Sequence, residues 1–113
     1  MQIAIPAGSE QQARAFYVEL LGFGEIPKPP ELVARGGVWL RSGEATLHLG
    51  VDPDFRAARK AHPAFVCADY DALLPRLAAR GVAIERHENL FEGSAHCYVS
   101  DPFGNRIELI AEG

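Results

Sequence analysis

The sequence predicts an α+β fold made of two tandem βαβββ modules with pseudo-twofold symmetry. The main observation is that the order strand, helix, strand, strand, strand can be followed twice along the 113 residues. A second observation is that a glycine ends each helical stretch, at Gly22 and at Gly81. Since one such module leaves a face of its sheet uncovered, the two sheets are expected to lie side by side as a concave, partly open mixed sheet.

The first module begins with a short apolar strand at residues 3–5, which Pro6 closes. Ser9 follows as a predicted helix N-cap, with Gln12 at the position of a capping box. The helix itself is predicted from an apolar stripe at helical spacing, formed by Ala13, Phe16, Tyr17, Leu20 and Leu21.

Three further strands complete the first module. The first of them is short, at residues 25–26, and leads into a proline-rich stretch at 27–30 that must be extended. The other two, at 37–40 and 45–49, flank the polar segment 41–44 and predict a β-hairpin.

The second module shows the same order of elements. Its helix is predicted to begin after the N-cap Asp69, to bury a leucine stripe and to end at Gly81, which suits the C′ position. The last hairpin is built on the turn 101–105, where the placement of proline and glycine suits a tight turn. Its strands are predicted at 64–67, 82–84, 95–99 and 106–110.

The whole chain, residues 1–113, is predicted to be a single domain. The first module covers about residues 1–50 and the second covers residues 62–113. The segment 51–61, with its Asp-Pro-Asp turn and three basic residues, is interpreted as the linker between them. A chain of this size can bury a hydrophobic core without disulfide or metal staples.

Composition narrows the class of function. The net charge is −4, and 48% of the residues are hydrophobic, both ordinary for a globular protein. This mildly acidic balance predicts no binding to nucleic acid or to an anionic membrane. Cys67 and Cys97 form no CxxC pattern and are expected to be reduced thiols. With neither a secretory signal nor a long apolar run, the sequence predicts a small cytoplasmic protein.

Polar residues at matching places in the two modules predict a metal site. Period-2 alternation puts His48 and Glu108 on the polar faces of the last strands of the two modules. His62 opens the second module, and counting back from the helix-ending glycine makes Gln2, or a neighbour of Gln2, its counterpart in the first. Two imidazoles and a carboxylate suit a divalent ion such as Fe, Mn, Ni or Zn, with Gln2 as a fourth, weaker candidate ligand.

Three other side chains are predicted to line a substrate pocket beside this site. Tyr98 and His96 share a face of the strand that pairs with the strand of Glu108. Trp39 lies on the equivalent strand beside His48. Pocket wall is the expected role of all three, because aromatic side chains line most small-molecule sites.

Four segments of the chain together resemble the vicinal oxygen chelate superfamily. They are Ala15-Phe16-Tyr17-x-x-Leu20-Leu21-Gly22-Phe23, Leu47-His48-Leu49, His62 with the strand after it, and Asp101 to Leu109. That superfamily includes glyoxalase I, extradiol dioxygenases, fosfomycin-resistance enzymes and bleomycin-resistance proteins. The resemblance implies a glyoxalase-like fold and commonly a homodimer. It also implies His48, His62 and Glu108 as metal ligands, with Gln2 or no residue in the first-strand ligand position.

Two classes of function follow from this resemblance. The first is a metal-dependent lyase, isomerase or dioxygenase that binds two adjacent oxygens of a small molecule, with Glu108 as both ligand and catalytic base. The second is a metal-free protein that sequesters a small molecule, as bleomycin-resistance proteins do. A regulatory or assembly module that has kept only the fold is a third.

Overall fold

The computed structural model describes residues 1–91 and 94–112 and divides the chain into two compact units, Met1–Ala57 and Ala58–Gly113. Each unit contains one four-stranded mixed sheet and at least one helix. In each sheet the first strand of the unit pairs in parallel with the last strand, and the remaining pairs are antiparallel. The predicted α+β fold with two βαβββ modules is confirmed.

The sheet of the first unit has the strand order β1-β4-β3-β2. A long helical segment connects its first two strands, and a single helical turn precedes the third. The elements are β1 (Gln2–Ile5), α1 (Glu10–Arg14) with a π-helical continuation (Ala15–Leu20), β2 (Gly24–Ile26), α2 (Pro30–Val33), β3 (Val38–Ser42) and β4 (Ala45–Val51).

The first helix differs from the prediction in two respects. Its second half is a π-helix, in which the N–H of Leu21 donates to the carbonyl of Phe16, five residues earlier. Phe16, Tyr17 and Leu20 are all buried in this segment. The predicted capping box is wrong, because the Ser9 hydroxyl donates back to the carbonyl of Pro6 at 2.6 Å and caps no helical N–H.

The sheet of the second unit has the matching order β5-β8-β7-β6. Its helix ends as predicted: Gly81 adopts a φ of 80°, and the N–H of Val82 donates to the carbonyl of Leu77 in a Schellman arrangement. The elements are β5 (Ala64–Cys67), α3 (Tyr70–Ala79), β6 (Glu85–Phe91), β7 (Ser94–Ser100) and β8 (Arg106–Ala111).

The strand after α3 is where the prediction is least accurate. The apolar triplet 82–84 precedes β6, which begins at Glu85 and runs through residues predicted to form a loop. The sequence of β6 is mostly polar, so it lacks the alternation of apolar and polar residues that usually predicts a strand. Backbone pairing with β7 forms the strand, with Glu85 opposite Tyr98 and His87 opposite His96. Residues 92 and 93, also predicted as loop, lie outside the described residues.

The turn before β8 is organised by a buried carboxylate. Oδ1 of Asp101 accepts hydrogen bonds from the backbone N–H groups of Phe103 (2.9 Å) and Asn105 (2.8 Å). Its second oxygen, Oδ2, accepts a third bond from the Asn105 amide. The side-chain oxygen Oδ1 of Asn105 accepts a hydrogen bond from the N–H of Ala58 at 3.0 Å, which connects the start of the unit to this turn. These hydrogen bonds stabilise the turn that immediately precedes β8.

Each unit has its own core on the helical side of its sheet. In the second unit this side consists of alternate strand residues, including Ile107 and Leu109, which are fully buried and face the leucines of α3. Both cysteines are free thiols; Cys97 is buried, and Cys67 is partly exposed. No helix in the described part of the chain is long and apolar enough to cross a membrane. The opposite face of each sheet carries the candidate functional residues.

Candidate functional site

The open face of the second sheet is polar and aromatic. Because successive strand residues point to opposite faces, the register that buries Ile107 and Leu109 turns Glu108 to the other face. Tyr98 lies directly opposite Glu108 on β7, and Glu85 lies opposite Tyr98 on β6. Among the described side chains, this face carries the ionisable or aromatic residues Glu85, His87, His96, Tyr98, Arg106 and Glu108.

His62 and Glu108 form a close pair at one edge of this face. Nε2 of His62 lies 2.9 Å from Oε1 of Glu108. The pairing of β5 with β8 accounts for this contact: the N–H of Glu108 donates to the carbonyl of Pro63 at 3.0 Å, which brings the neighbouring His62 to the carboxylate. The side chains are 25% and 10% exposed, so the pair is open to solvent on one side only.

The backbone selects the tautomer of His62. Its Nδ1 lies 2.8 Å from the carbonyl oxygen of Lys60. Since a carbonyl only accepts hydrogen bonds, Nδ1 must carry the hydrogen, and neutral His62 therefore presents the lone pair of Nε2. That lone pair and the Glu108 carboxylate are both electron-rich and face each other, so a proton or a metal cation must lie between them.

The pair has the chemistry and spacing of two metal ligands. Donors bound at about 2.1 Å in adjacent positions of one metal ion lie about 3 Å apart, close to the observed separation. A histidine whose other nitrogen donates to a backbone carbonyl is the usual form of a metal-bound histidine. In the part of the chain that the structure describes, no three His, Cys, Asp or Glu side chains form a group that could hold a metal ion.

The other two predicted ligands, Gln2 and His48, form a pair of their own in the first unit. They lie opposite each other in the parallel pairing of β1 and β4. The Gln2 side chain extends over Gly50, where an added Cβ would collide with the amide nitrogen of Gln2. Gly50 therefore leaves room for the Gln2 side chain.

His48 also stacks on Trp39. The two ring centroids are 3.9 Å apart and the ring planes differ by only 1°. The contact follows from the β3–β4 register, which pairs these residues directly. Trp39 and His48 are half-buried, so this stacked aromatic platform remains partly open to solvent.

The strand registers decide which residues correspond between the units. His48 pairs with Trp39 as Glu108 pairs with Tyr98, which makes His48 and Glu108 counterparts. However, Gln2 pairs with His48, whereas it is Ala64 that pairs with Glu108. Gln2 is thus the counterpart of Ala64, and the expectation that it corresponds to His62 is wrong. The first unit has more residues between its first strand and the glycine that ends its helix, so counting from the glycines differs from the strand registers by three residues.

Tyr98 is the centre of an aromatic cluster on the open face of the second unit. Three imidazoles meet its ring edge to face, with centroid distances of 5.3 Å for His62, 5.4 Å for His87 and 5.7 Å for His96. His96 is 1% exposed and therefore has almost no access to solvent. The carbon Cζ of Arg106 lies 3.9 Å from the centroid of the Tyr98 ring.

Glu85, His87 and Arg106 form a charged cluster that the sequence did not reveal. A single oxygen of Glu85, Oε2, is 3.0 Å from His87 Nε2 and 3.2 Å from Arg106 Nη2. Hydrogen bonds from His87 and Arg106 hold the pKa of Glu85 below its ordinary value. In the sequence, His87 falls between the strands predicted at residues 82–84 and 95–99. Glu85 and His87 are two residues apart, so a strand predicted through them would have placed both side chains on the same face of the sheet.

Comparison with known proteins agrees with this geometry. The family model of the Glyoxalase/Bleomycin resistance protein/Dioxygenase superfamily matches residues 1–109. A crystal structure of a protein assigned to the glyoxalase family, from Bacillus anthracis, is 43% identical, with a TM-score of 0.92 over 99% of this chain and 91% of that one. No curated protein sequence matches.

Two more distant structures have more specific names. Lactoylglutathione lyase from Agrobacterium tumefaciens is 26% identical, with a TM-score of 0.71 over 98% of this chain and 91% of that one. An antibiotic binding protein from a Streptomyces species is 25% identical, with a TM-score of 0.71 over 99% of this chain and 93% of that one. The family match and the fold together show that this chain belongs to the Glyoxalase/Bleomycin resistance protein/Dioxygenase superfamily.

Proposed function

We propose that this protein is a metal-dependent enzyme, a lyase, isomerase or dioxygenase that acts on a small molecule with two adjacent oxygens. The observation that carries the proposal is the His62–Glu108 pair, at 2.9 Å, with the His62 lone pair turned toward the carboxylate by the Lys60 carbonyl. We take His62 and Glu108 as two ligands and His48 and Gln2 as the candidates for the others. A divalent Fe, Mn, Ni or Zn ion, when bound, stabilises negative charge on a substrate oxygen.

Glu108 has a second role in this proposal, as the general base. It is a carboxylate at the floor of a half-open face, and its two oxygens allow one to face His62 while the other accepts a proton from the substrate. Tyr98 and His96 form the wall beside it and exclude water from that proton transfer. The named relative that supports a lyase is the lactoylglutathione lyase.

Metal content tests the proposal directly. We expect near-stoichiometric Fe, Mn, Ni or Zn in the untagged protein by inductively coupled plasma mass spectrometry, and loss of the metal in both His62→Ala and Glu108→Gln. His87→Ala is the matched control, because His87 also pairs with a carboxylate on the same face, at 3.0 Å. We expect this variant to keep its metal.

The same measurement on His48→Ala and Gln2→Ala assigns the remaining ligands. Removing a true ligand is expected to lower the metal affinity, whereas removing a residue that only lines the pocket is not. If the folded wild-type protein takes up none of the four metals after reconstitution, the metalloenzyme proposal is wrong.

A second candidate function is metal-free binding of a flat small molecule. The stacked Trp39–His48 platform favours it, because a half-buried indole offers a stacking surface that requires no metal. The antibiotic binding protein from Streptomyces is the relative that supports it. Under this alternative, an aromatic ligand raises the melting temperature in excess EDTA, and Trp39→Ala abolishes the shift. Under the first proposal, ligand stabilisation requires the metal.

A further inference from the structure

A pocket of about 250 Å³ lies in the second unit, where β6 begins and β7 ends. Its polar lining comes from Glu85, Tyr98, Ser100 and Arg106, and its apolar lining includes Ala83 and Ile84. The residues before Glu85 are not paired with β7 as strand, so the two segments separate and leave this space. The volume suits a small organic molecule with one polar end.

Arg106 is held in a defined orientation at the edge of this pocket. Its guanidinium lies on the Tyr98 ring, with Cζ 3.9 Å from the ring centroid. This contact and the ion pair with Glu85 limit the orientations of the group, whose N–H donors point outward within the guanidinium plane. The ion pair with Glu85 uses Nη2 at 3.2 Å, and a guanidinium carries five N–H donors in total.

Glu85 is poised to exchange partners. Its carboxylate is 59% exposed and contacts His87 as well as Arg106, at distances of 3.0 Å and 3.2 Å. Exposed ion pairs contribute little stability, so the contact between Glu85 and Arg106 is readily replaced by another anion. Glu85 then keeps Nε2 of His87, at 3.0 Å, as a hydrogen-bonding partner.

We propose that this pocket binds the carboxylate of a small organic acid, with Arg106 as the principal contact and the Tyr98 and Ser100 hydroxyls as further donors. Planar bidentate recognition of a carboxylate is the interaction for which a guanidinium is best suited. The apolar wall at Ala83 and Ile84 accommodates the carbon skeleton next to the carboxylate.

The inference extends the proposed function by naming a substrate class. Tyr98 contacts Arg106 on its ring face and His62 at 5.3 Å, so the carboxylate pocket and the His62–Glu108 pair share one side chain. A substrate that binds at the His62–Glu108 pair can therefore reach Arg106 as well, and the group that Arg106 binds is a carboxylate. In this respect the inference rests on the proposed function, but binding of the carboxylate itself requires no metal.

Benzoate is the probe, and benzamide is its uncharged analogue of the same shape. Titrations in excess EDTA are followed by the backbone amide NMR signals of Ser100 and Arg106 and by calorimetry. We expect benzoate to shift both signals with saturation, and benzamide to bind at least about tenfold more weakly, since charge-assisted hydrogen bonds are lost. Equal binding of benzamide and benzoate would overturn the proposal, as would equally tight binding of inorganic phosphate.

Variants of the charged residues sharpen the test. Arg106→Gln is expected to weaken benzoate binding about tenfold or more, and Arg106→Lys by less, because the charge remains. Glu85→Gln is expected to tighten binding, since the competing carboxylate is gone. Arg86→Gln, on the neighbouring exposed residue of β6, is the matched control and should leave binding unchanged.

His62→Ala separates this inference from the proposed function. It is expected to lose metal while keeping benzoate binding, because the Arg106 pocket does not include His62. If Arg106→Gln binds benzoate as well as the wild type does, the carboxylate pocket is wrong even when the metal site is intact.

Discussion

His48 and Glu108 occupy the same register position in the two units and have opposite surroundings. His48 is stacked on Trp39 at 3.9 Å, whereas Glu108 faces the imidazole of His62 at 2.9 Å and has Tyr98 opposite it. The first unit therefore presents an aromatic platform, and the second presents a pair of charged or metal-binding groups. One strand arrangement supports both, since the sheet dictates only where a side chain projects.

The turns that lead into these two strands differ as well, and this difference should give the largest effect. Asp101 accepts three hydrogen bonds within the buried turn before β8. The corresponding hairpin of the first unit turns at Gly43, with a φ of 58°, and Glu44 there is exposed.

Asp101→Ala leaves buried N–H groups without acceptors and should lower the free energy of unfolding by roughly 3 kcal/mol. Glu44→Ala, its matched control, should change that free energy by less than about 0.5 kcal/mol. Urea denaturation followed by circular dichroism measures both. Equal effects of the two variants would mean that the turns do not differ in this way.

The pH dependence of stability should also distinguish the two units. Burial raises the pKa of the Cys67 thiol in the second unit from 9.0 to about 11. The unfolded chain then loses this proton first, so stability is complete below pH 9 and declines as the pH rises from 9 to 11. Allowing for the partial exposure of Cys67, we expect a loss of about 1–2 kcal/mol that is absent in Cys67→Ala.

In the first unit the pH dependence of stability has the opposite sign. The N–H of Gly37 donates to Glu10 at 2.9 Å and lowers the pKa of that carboxyl. Stability from this contact is present above the ordinary pKa of 4.5 and is lost as the pH falls through the lowered value. Denaturation curves of Glu10→Gln should therefore show a weaker acid dependence than those of the wild type. A steeper acid dependence in Glu10→Gln than in the wild type would show that the hydrogen bond from Gly37 does not stabilise the ionised Glu10.

The smallest effect is expected at Gly50. An alanine there meets only the end of the flexible Gln2 side chain, so Gly50→Ala should change the free energy of unfolding by less than about 1 kcal/mol. It should nevertheless displace the Gln2 amide from its position over Gly50. The NMR signals of that amide and of the His48 ring measure the displacement, and unchanged signals would show that Gln2 does not lie there.

Local chemistry explains which parts of the fold were predictable. The helix end at Gly81 was identified because a glycine directly after a leucine stripe is a typical signal for a helix end, where its positive φ is needed. Strand β6 was missed because both of its faces carry polar residues, and its pairing with β7 rests on backbone bonds that leave no hydrophobic signal. The π-helical turn at Ala15–Leu20 was missed for a related reason, since its apolar spacing also suits an α-helix.

The candidate site was predictable to the extent that it follows from strand alternation. That reasoning placed His48 and Glu108 at corresponding positions, and the registers agree. The roles of Glu85, His87 and Arg106 depend on contacts across three strands, which residue order does not contain.

The sequence alone determined the α+β class, the repeated module and the family, because these depend on periodicity and on short motifs that are local in the chain. The tertiary structure decided the partnership of Glu108 with His62 and the pocket at Arg106. Each of these depends on atoms far apart in sequence, such as Nε2 of His62 and Oε1 of Glu108, 46 residues apart. Only the strand registers bring them within hydrogen-bonding distance.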